Sequence, residues 1–240
     1  MPIATSPSAA PAAEPGSAGP APAPDTARAP GLADPIPPTL GLVLAGGRAQ
    51  RLGGGDKGFL AVGGRPILAR VIARLTPCAA VILNANGDPA RFAGLGLTVV
   101  ADTVPGFAGP LAGVLAGLDW AAAHRADIAH VVTAPADAPF LPADLVVRLH
   151  AAARAAGTPI ACAASGGRRH PVVALWPVAL REALRHALVD EGLHKVGAIL
   201  DRHGAATADW PAAPVDPFLN VNTSADLNEA ERLAAAHPNA

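Results

Sequence analysis

The chain has few cysteines, no excess of one charge and no long apolar run, and each shortage excludes a class of protein. Its two cysteines, Cys78 and Cys162, are too few for a disulfide framework or a cysteine-based zinc site. Its formal net charge of −1 argues against nucleic acid or an anionic membrane surface as a partner. Since no stretch reaches about 18 uninterrupted apolar residues, we expect no membrane-spanning helix.

The first 38 residues differ in composition from the rest of the chain. They hold 11 of its 26 prolines and a single basic residue, Arg28. Proline at this density can neither propagate a helix nor join a central strand, so we interpret residues 1–38 as a disordered tail before a domain at 39–240. Because the tail lacks the basic region and the apolar stretch of a secretory signal, we expect a cytoplasmic protein.

Beyond the tail, short apolar runs alternate with helical patterns. Four runs are apolar almost throughout, which is typical of strands buried on both faces of a parallel sheet; they span 41–45, 80–84, 97–101 and 128–134. Two further runs predict a hairpin, since Ser165-Gly166-Gly167 joins 159–164 to 168–175.

Helices are predicted between and after these strands. Apolar stripes and residues typical of helix ends indicate helices over 66–75, 142–156, 178–188 and 195–203, and others beginning near 110 and at 223. The last one begins at Thr223 with Asp226 three residues later, which resembles a capping box. The sequence therefore predicts a single α/β domain, three-layer α/β/α and Rossmann-like, with a mostly parallel mixed sheet.

A glycine-rich loop at 44–57 carries the strongest functional signal. It follows the first apolar run and contains five glycines, whose unhindered N–H groups can cradle phosphate oxygens. Arg51 and Lys57 add two cations. The loop fails the Walker A pattern because Gly58 follows Lys57, and a G-x-G-x-x-G match at 53–58 lies too far past the strand for a dinucleotide motif. We therefore predict a different kind of nucleotide-phosphate loop.

Acidic and amide side chains follow the predicted strands. Asp102 and Asp137 come just after two of them, where ligands of open α/β sheets bind. Two carboxylates near a phosphate loop suit Mg²⁺, with Asp137 the favoured ligand; each aspartate is otherwise a turn residue. Asn84 and Asn86 could contact a base or a ribose, or could cap loop backbone.

Two further segments hold candidate polar groups. Asn220 and Asn222 alternate in an extended stretch before the last helix, so their side chains point to one side, where they could serve phosphate or metal. Arg168, Arg169 and His170 begin the second hairpin strand and could hold an anionic substrate. Solvated charges at a sheet edge explain those three equally well.

The order of these segments resembles a known family. The loop residues Leu44, Ala45, Gly46, Gly47, Arg51, Gly53, Gly54, Asp56 and Lys57 are similar to the signature of nucleotidyltransferases with a glycosyltransferase-A-type fold. The likeness is strongest to molybdenum cofactor guanylyltransferases and spans residues 41–235. It continues through the segments 63–66, 84–86, 102, 109–113, 137–140, 170–171 and 220–223. Leu52 stands where the family often has methionine, a swap that conserves volume.

The resemblance implies a transfer of GMP from GTP to molybdenum-molybdopterin, which gives the guanine dinucleotide and pyrophosphate. It implies Mg²⁺ on Asp137. For this reaction we predict a catalytic set of Arg51, Lys57 and Asp137, in which the two cations stabilise the charge that grows on pyrophosphate. The resemblance also implies a group of residues near GTP, the metal or the pterin phosphate: Leu44, Ala45, Gly46, Gly47, Lys57, Asn84, Asp102, Asp137, Asn220 and Asn222. We expect a cytoplasmic monomer that meets apoproteins of molybdoenzymes or their chaperones, without nucleic acid or membrane as a partner.

Three alternatives stay open at this point. A cytidylyltransferase acting on the same pterin would share the fold and most of the loop. Sugar-1-phosphate nucleotidyltransferases are further relatives of the same superfamily. A non-catalytic molybdopterin carrier is of a different class, although a carrier has no need of a metal at a leaving group. Guanine as the base depends on the resemblance.

Overall fold

The computed structural model describes residues 1, 3, 36–46, 57–104, 106 and 109–238. Backbone contacts group residues 35–240 into one compact unit. The predicted disordered tail lies outside the described residues, apart from residues 1, 3 and 36–38, and its disorder stays a prediction.

A seven-stranded sheet forms the centre of the unit, in the order β5-β4-β1-β6-β8-β7-β9. Strands β1, β4, β5 and β6 are parallel, β8 is antiparallel to both of its neighbours, and β9 is parallel to β7. The predicted mostly parallel mixed sheet is thus confirmed. The strands are β1 (Thr39–Leu44), β4 (Ala80–Asn84), β5 (Thr98–Val100), β6 (His130–Pro135), β7 (Ala161–Ser165), β8 (Arg168–Pro177) and β9 (Ala206–Trp210), and β2 (Ala61–Val62) and β3 (Arg65–Pro66) form a separate small hairpin.

Six α-helices of the described part of the chain cover the two faces of the sheet. One apolar cluster combines residues of α1, α3 and α6 with one face, and a second combines α2, α4 and α5 with the other, which confirms the three-layer arrangement. Each strand of the centre is buried because helices pack on both sides. The helices are α1 (Ile67–Arg74), α2 (Pro110–His124), α3 (Leu145–Ala156), α4 (Arg181–Val189), α5 (Val196–Arg202) and α6 (Ser224–Ala236), and 3₁₀ turns span Lys57–Phe59, Pro89–Leu95 and Val178–Leu180.

Two glycines let α2 lie very close to the sheet. A Cβ at Gly117 would overlap the side chain of Leu42 in β1, and a Cβ at Gly113 would overlap Asn84 at the end of β4. The two glycines are four residues apart and so share one helix face. The apolar residues around them are almost fully buried, including Leu111, Val114, Leu115 and Leu118.

The structure departs from the sequence prediction in a few elements. Helix α3 begins at Leu145, three residues later than predicted, because Pro142 begins a turn in which the Leu145 amide donates to the Pro142 carbonyl. The edge strand β9 was not predicted, since its inward residues include two small alanines that give little apolar contrast. In the part of the chain that the structure describes, no helix is long and apolar enough to span a bilayer.

Candidate active site

A cavity of about 370 Å³ opens at the carboxyl ends of β1, β4 and β6, a size within the range of small-molecule sites. Leu44 in the centre pairs with Asn84 on one side and Pro135 on the other, so these three strands end at the same level. The cavity is lined by eight of the predicted site residues: Leu44, Ala45, Gly46, Lys57, Asn84, Asp102, Asp137 and Asn220.

Gly47 and Arg51 lie outside the described residues, so their predicted roles in the loop stay predictions. The two ends of the loop are described, and both reach the cavity through Gly46 and Lys57. The ends extend the strand pairing: the Ala45 amide donates to the Asn84 carbonyl at 2.9 Å, and the Ala136 amide donates to the Leu44 carbonyl at 3.0 Å.

Asp102 accepts hydrogen bonds from both predicted asparagines. Asn84 Nδ2 donates to its Oδ1 at 3.0 Å, and Asn86 Nδ2 donates to its Oδ2 at 2.7 Å. Asn86 Oδ1 in turn accepts from the Asp102 amide at 2.9 Å. Asn84 is only 4% exposed, and its Nδ2 also donates to the Val100 carbonyl at 3.2 Å. These contacts fix the Asp102 carboxylate at the cavity wall.

Asp137 lies two residues past the end of β6 and is half-buried. Burial raises the pKa of its carboxyl above the ordinary value, and the positive charge of Lys57 opposes this shift. The Asp137 main-chain carbonyl accepts from the Val221 amide at 2.9 Å. The described residues contain no group of three or more His, Cys, Asp or Glu arranged to hold a metal ion, so Asp137 would need other oxygen donors.

Lys57 is tied to the segment before the last helix. Its Nζ donates to Asn222 Oδ1 at 2.7 Å. The amides of Asn222 and Thr223 both donate to Asp226 Oδ2 at 2.8 Å, and Thr223 Oγ1 accepts from the Asp226 amide at 3.2 Å. The predicted capping box is therefore confirmed, and it fixes the backbone that presents Asn222 to the lysine.

The amino-terminal end of α2 closes another side of the cavity through Gly109 and Pro110. Gly109 has a φ of 150°, a conformation open to glycine and strained for other residues. A helix of this length has a partial positive charge at its start, which favours an anion there. Lys57 and the start of α2 thus place positive charge at a cavity that also holds two half-buried carboxylates, Asp102 and Asp137.

A family model for the MobA-like NTP transferase domain matches residues 41–207. The chain belongs to this family.

Individual relatives show to which group within this family the chain belongs. A molybdenum cofactor guanylyltransferase of Bradyrhizobium sp. strain ORS 278 is 61% identical over 81% of this chain and 92% of that protein. Another, of Rhodopseudomonas palustris strain BisB5, is 59% identical over 82% of this chain and 95% of that protein. These matches place the chain among the molybdenum cofactor guanylyltransferases and make it a nucleotidyltransferase. The family predicted from the sequence is confirmed.

Solved structures share the fold. Molybdopterin-guanine dinucleotide biosynthesis protein A of Archaeoglobus fulgidus superposes with a TM-score of 0.63 at 21% identity, over 82% of this chain and 99% of that chain. A nucleotidyl transferase of Methanothermobacter thermautotrophicus gives a TM-score of 0.62 at 16% identity, over 82% of this chain and 98% of that chain. These two likenesses show that the fold is shared.

The candidate cluster Arg168, Arg169 and His170 of this transferase does not line the cavity. Arg169 Nη2 lies 2.7 Å from Asp201 Oδ1 in an exposed ion pair, and His170 is hydrogen-bonded to Ser165. The structure therefore places two of the three in contacts within the chain, and the substrate role suggested for them stays a prediction.

Phe92 and Val172 are among the apolar cavity residues that the sequence analysis missed. Phe92 lies in the 3₁₀ turn after β4, and Val172 lies where β8 separates from β6. No local pattern distinguishes either of them from core residues. Only the pairing of strands far apart in the chain brings them to the cavity.

Proposed function

We propose that this chain transfers GMP from GTP to the terminal phosphate of molybdenum-molybdopterin, giving molybdopterin guanine dinucleotide and pyrophosphate. One observation carries the proposal: Lys57, Asp137 and the Asp102 network converge on one cavity in a chain that is 61% identical to a named guanylyltransferase. The named activity belongs to that relative, and the geometry of the cavity supports its extension to this chain.

A divalent cation, Mg²⁺, is the cofactor in this proposal. Magnesium is commonly bound by one or two carboxylates together with substrate phosphates and water. Asp137 fits that role because its half-buried carboxyl lies in the cavity with a lysine, Lys57, and a second carboxylate, Asp102. Asn220 adds a carboxamide at the same cavity. When bound, the cation would neutralise phosphate charge and act as a Lewis acid toward the phosphoryl group, with Asp137 as its protein ligand.

The nucleotide would lie across the cavity. In this arrangement the Asp102 carboxylate and the amides of Asn84 and Asn86 contact the nucleoside, since they form the wall at β4 and β5. The loop residues from Leu44 to Gly47, together with Arg51 and Lys57, contact the triphosphate, although the Ala45 amide itself stays paired with the Asn84 carbonyl. The start of α2 adds its partial positive charge at the wall formed by Gly109 and Pro110.

The reaction is an in-line displacement at the α-phosphorus of GTP. An oxygen of the pterin phosphate forms the new bond to phosphorus, and the bond to the bridging oxygen of the β-phosphate breaks, so the electron pair leaves with pyrophosphate. A phosphate monoester is largely ionised near neutral pH, and no strong general base is needed. Lys57 and Arg51 would stabilise the charge that grows on pyrophosphate, and catalysis depends on positioning and electrostatics.

A pyrophosphate-release assay tests the proposal. The purified full chain is incubated with Mg²⁺ and either GTP or CTP, with and without molybdenum-loaded molybdopterin. We expect release that requires both GTP and the pterin, together with formation of the guanine dinucleotide. Release with CTP instead of GTP would show a cytidylyltransferase. Release without pterin would contradict the transferase, and no release with tight pterin binding would favour the carrier.

The remaining parts of the proposal concern the surroundings of the enzyme. We propose a cytoplasmic monomer that delivers its product to apoproteins of molybdoenzymes or to their chaperones. The net charge of −1 and the lack of a membrane-spanning helix among the described residues agree with this setting. Mass determination in solution tests the monomer directly.

A further inference from the structure

A polar network around one buried side chain lies beside the cavity, outside the residues assigned to it above. Ser165 is 3% exposed and makes two hydrogen bonds. Its Oγ donates to Asp216 Oδ1 at 2.8 Å and lies 2.8 Å from His170 Nε2. Because a hydroxyl has one proton and Asp216 takes it, His170 Nε2 must be the donor in the second bond. The network therefore has a fixed direction, from His170 through Ser165 to Asp216.

This network holds the start of the segment that supplies Asn220 and Asn222. Asp216 Oδ1 also accepts from the Phe218 amide at 3.0 Å. The His170 ring lies on the Phe218 ring with centroids 4.6 Å apart, and Phe218 contacts Trp210 edge-on at 5.4 Å. Phe218 is 2% exposed. Both polar and aromatic contacts thus fix residues 216–218.

The same segment is fixed at two further points. The Val221 amide donates to the Asp137 carbonyl at 2.9 Å, and the capping box fixes Asn222, which holds Lys57 at 2.7 Å. Residues 216–226 therefore form a strap across the site, bound at its start by Ser165 and at its end by the capping box. A movement of Asp216 would therefore displace Lys57 through its bond to Asn222, and Asp137 through its bond to Val221.

An irregularity in β8 brings His170 to this position. Cys162 and Ala163 of β7 are neighbours, yet they pair with Ala174 and His170, which are four residues apart. The extra residues form a bulge, where a proline such as Pro171 is tolerated because no ladder hydrogen bond is lost. The bulge also brings Val172 to the cavity. The bulge thus connects the cavity wall at Val172 with His170, the residue that supports the strap through Ser165.

The geometry points to His170 as a positioning residue that, through Ser165 and Asp216, holds Asn220 and Asn222 in their working places. This inference deepens the proposed function and rests on it. It assigns His170 to the protein's own strap and not to an anionic substrate. Burial lowers the pKa of His170, which agrees with a neutral ring that donates from Nε2.

Kinetics of single variants test the role. Ser165→Ala, Asp216→Asn and His170→Leu should each lower kcat at least tenfold and raise KM for the pterin. His170→Gln keeps an N–H donor near the position of Nε2 and should retain more than a third of the parent kcat. The control His186→Leu changes an exposed histidine of α4 and should match the parent.

A double variant tests whether the effect passes through the strap. Ser165→Ala combined with Asn222→Ala should lose clearly less activity than the product of the two single losses, because both changes release the same lysine. Additive losses would overturn the inference. So would a His170→Gln variant as slow as His170→Leu, or variants that keep more than half of the parent kcat.

Hydrogen exchange gives a readout that does not depend on activity. In Ser165→Ala the peptide containing the Val221 amide should exchange at least fivefold faster than in the parent, while the β4 peptide containing Ile82 should be unchanged. Equal acceleration in both peptides would show general destabilisation and overturn the positioning role. If the parent itself releases no pyrophosphate, the proposed function fails, and the exchange result then decides the strap alone.

Discussion

The Lys57 side chain has one hydrogen-bond partner among the described residues, Asn222, and the residue is half-buried at the mouth of the cavity. Because this partner is a neutral carboxamide, the ammonium group can move to a phosphate without breaking a strong ion pair. We therefore expect Lys57 to contribute to catalysis but little to the stability of the fold. A substitution can measure the two contributions independently.

The variant Lys57→Ala should lower kcat by about 100-fold, the usual cost of one group that stabilises transition-state charge. Its unfolding temperature should stay within about 2 °C of the parent, since an exposed hydrogen bond contributes little. Steady-state pyrophosphate release and thermal unfolding measure the two quantities. Arg232→Ala, which changes an exposed cation of α6, is the matched control. Full activity in Lys57→Ala would remove the residue from the mechanism.

The variant Asp137→Asn tests the metal ligand. Loss of the carboxylate charge should raise the Mg²⁺ concentration for half-maximal rate at least tenfold, because a neutral amide is a weaker ligand for a hard cation. Titration of the initial rate with Mg²⁺ measures this. Asp127→Asn, at the opposite end of β6, should titrate like the parent. An unchanged metal requirement in Asp137→Asn would assign the ligand to another residue.

At this scale the sequence predicts residues whose neighbours in the chain show their role. Lys57 follows a glycine loop and Asp137 follows a strand, and both line the cavity. Ser165 and His170 have no such context, since Asp216 is 51 residues from Ser165. The sequence also could not decide whether Asn84 and Asn86 contact a nucleoside or cap loop backbone, because their partner Asp102 is 16 residues or more away.

At the scale of elements, α2 is the helix whose packing most directly supports the site. Its two glycines face different neighbours: Gly113 faces Asn84, which holds Asp102, and Gly117 faces Leu42 in the core. The same substitution at the two positions should therefore have different consequences.

Gly113→Ala should push Asn84 aside and raise KM for GTP about tenfold. Gly117→Ala should instead lower the free energy of unfolding by about 1–3 kcal/mol through overpacking, with KM unchanged. Gly197→Ala is the control, because a Cβ there makes an ordinary contact with Pro171, and it should stabilise the protein by about 0.5–1 kcal/mol. Steady-state kinetics and urea unfolding measure these effects. A normal KM in Gly113→Ala would show that Asn84 tolerates displacement.

Elements with strong local signals were predicted well. The strand Ala80–Asn84 has the predicted bounds, and the last helix has the predicted capping box. The β8 bulge was not predicted, since only pairing with β7 reveals it. Strand β9 was missed because its alternation uses alanine on the inward side.

At the scale of the whole molecule, two histidines lie in contact at the end of the sheet opposite the cavity. His150 of α3 is 7% exposed, and its Nε2 lies 2.8 Å from Thr39 Oγ1. The His130 ring of β6 meets it edge-on with centroids 5.2 Å apart, and His130 Nδ1 is buried without a hydrogen-bond partner. Burial, His130 and Arg154 lower the pKa of His150 to about 4, and burial lowers that of His130.

This pair should make the fold acid-sensitive. Unfolded histidine takes up a proton near pH 6.5, but folded His150 resists until about pH 4, so its stabilising contribution is complete above pH 6.5 and is lost as pH falls toward 4. His150→Gln keeps an N–H donor and cannot titrate. From pH 7 to pH 4.5 the free energy of unfolding should decrease in both proteins. The decrease should be about 2–3 kcal/mol smaller in His150→Gln than in the parent.

Urea unfolding at the two pH values measures this difference. His124→Gln, which changes an exposed ring stacked on Trp120, is the control and should follow the parent. An equal loss in parent and His150→Gln would show that other groups cause the acid sensitivity.

The strap has a consequence for how the protein is made. A ribosome that has released residues up to Trp210 has supplied all seven strands of the main sheet. Asn220, Asn222 and Asp226 are still to come, and Lys57 has no carboxamide to hold it until they do. Given the proposed role of the strap, we expect the enzyme to become competent late in its own synthesis, so that a nascent chain folds its sheet before it is able to consume a nucleotide.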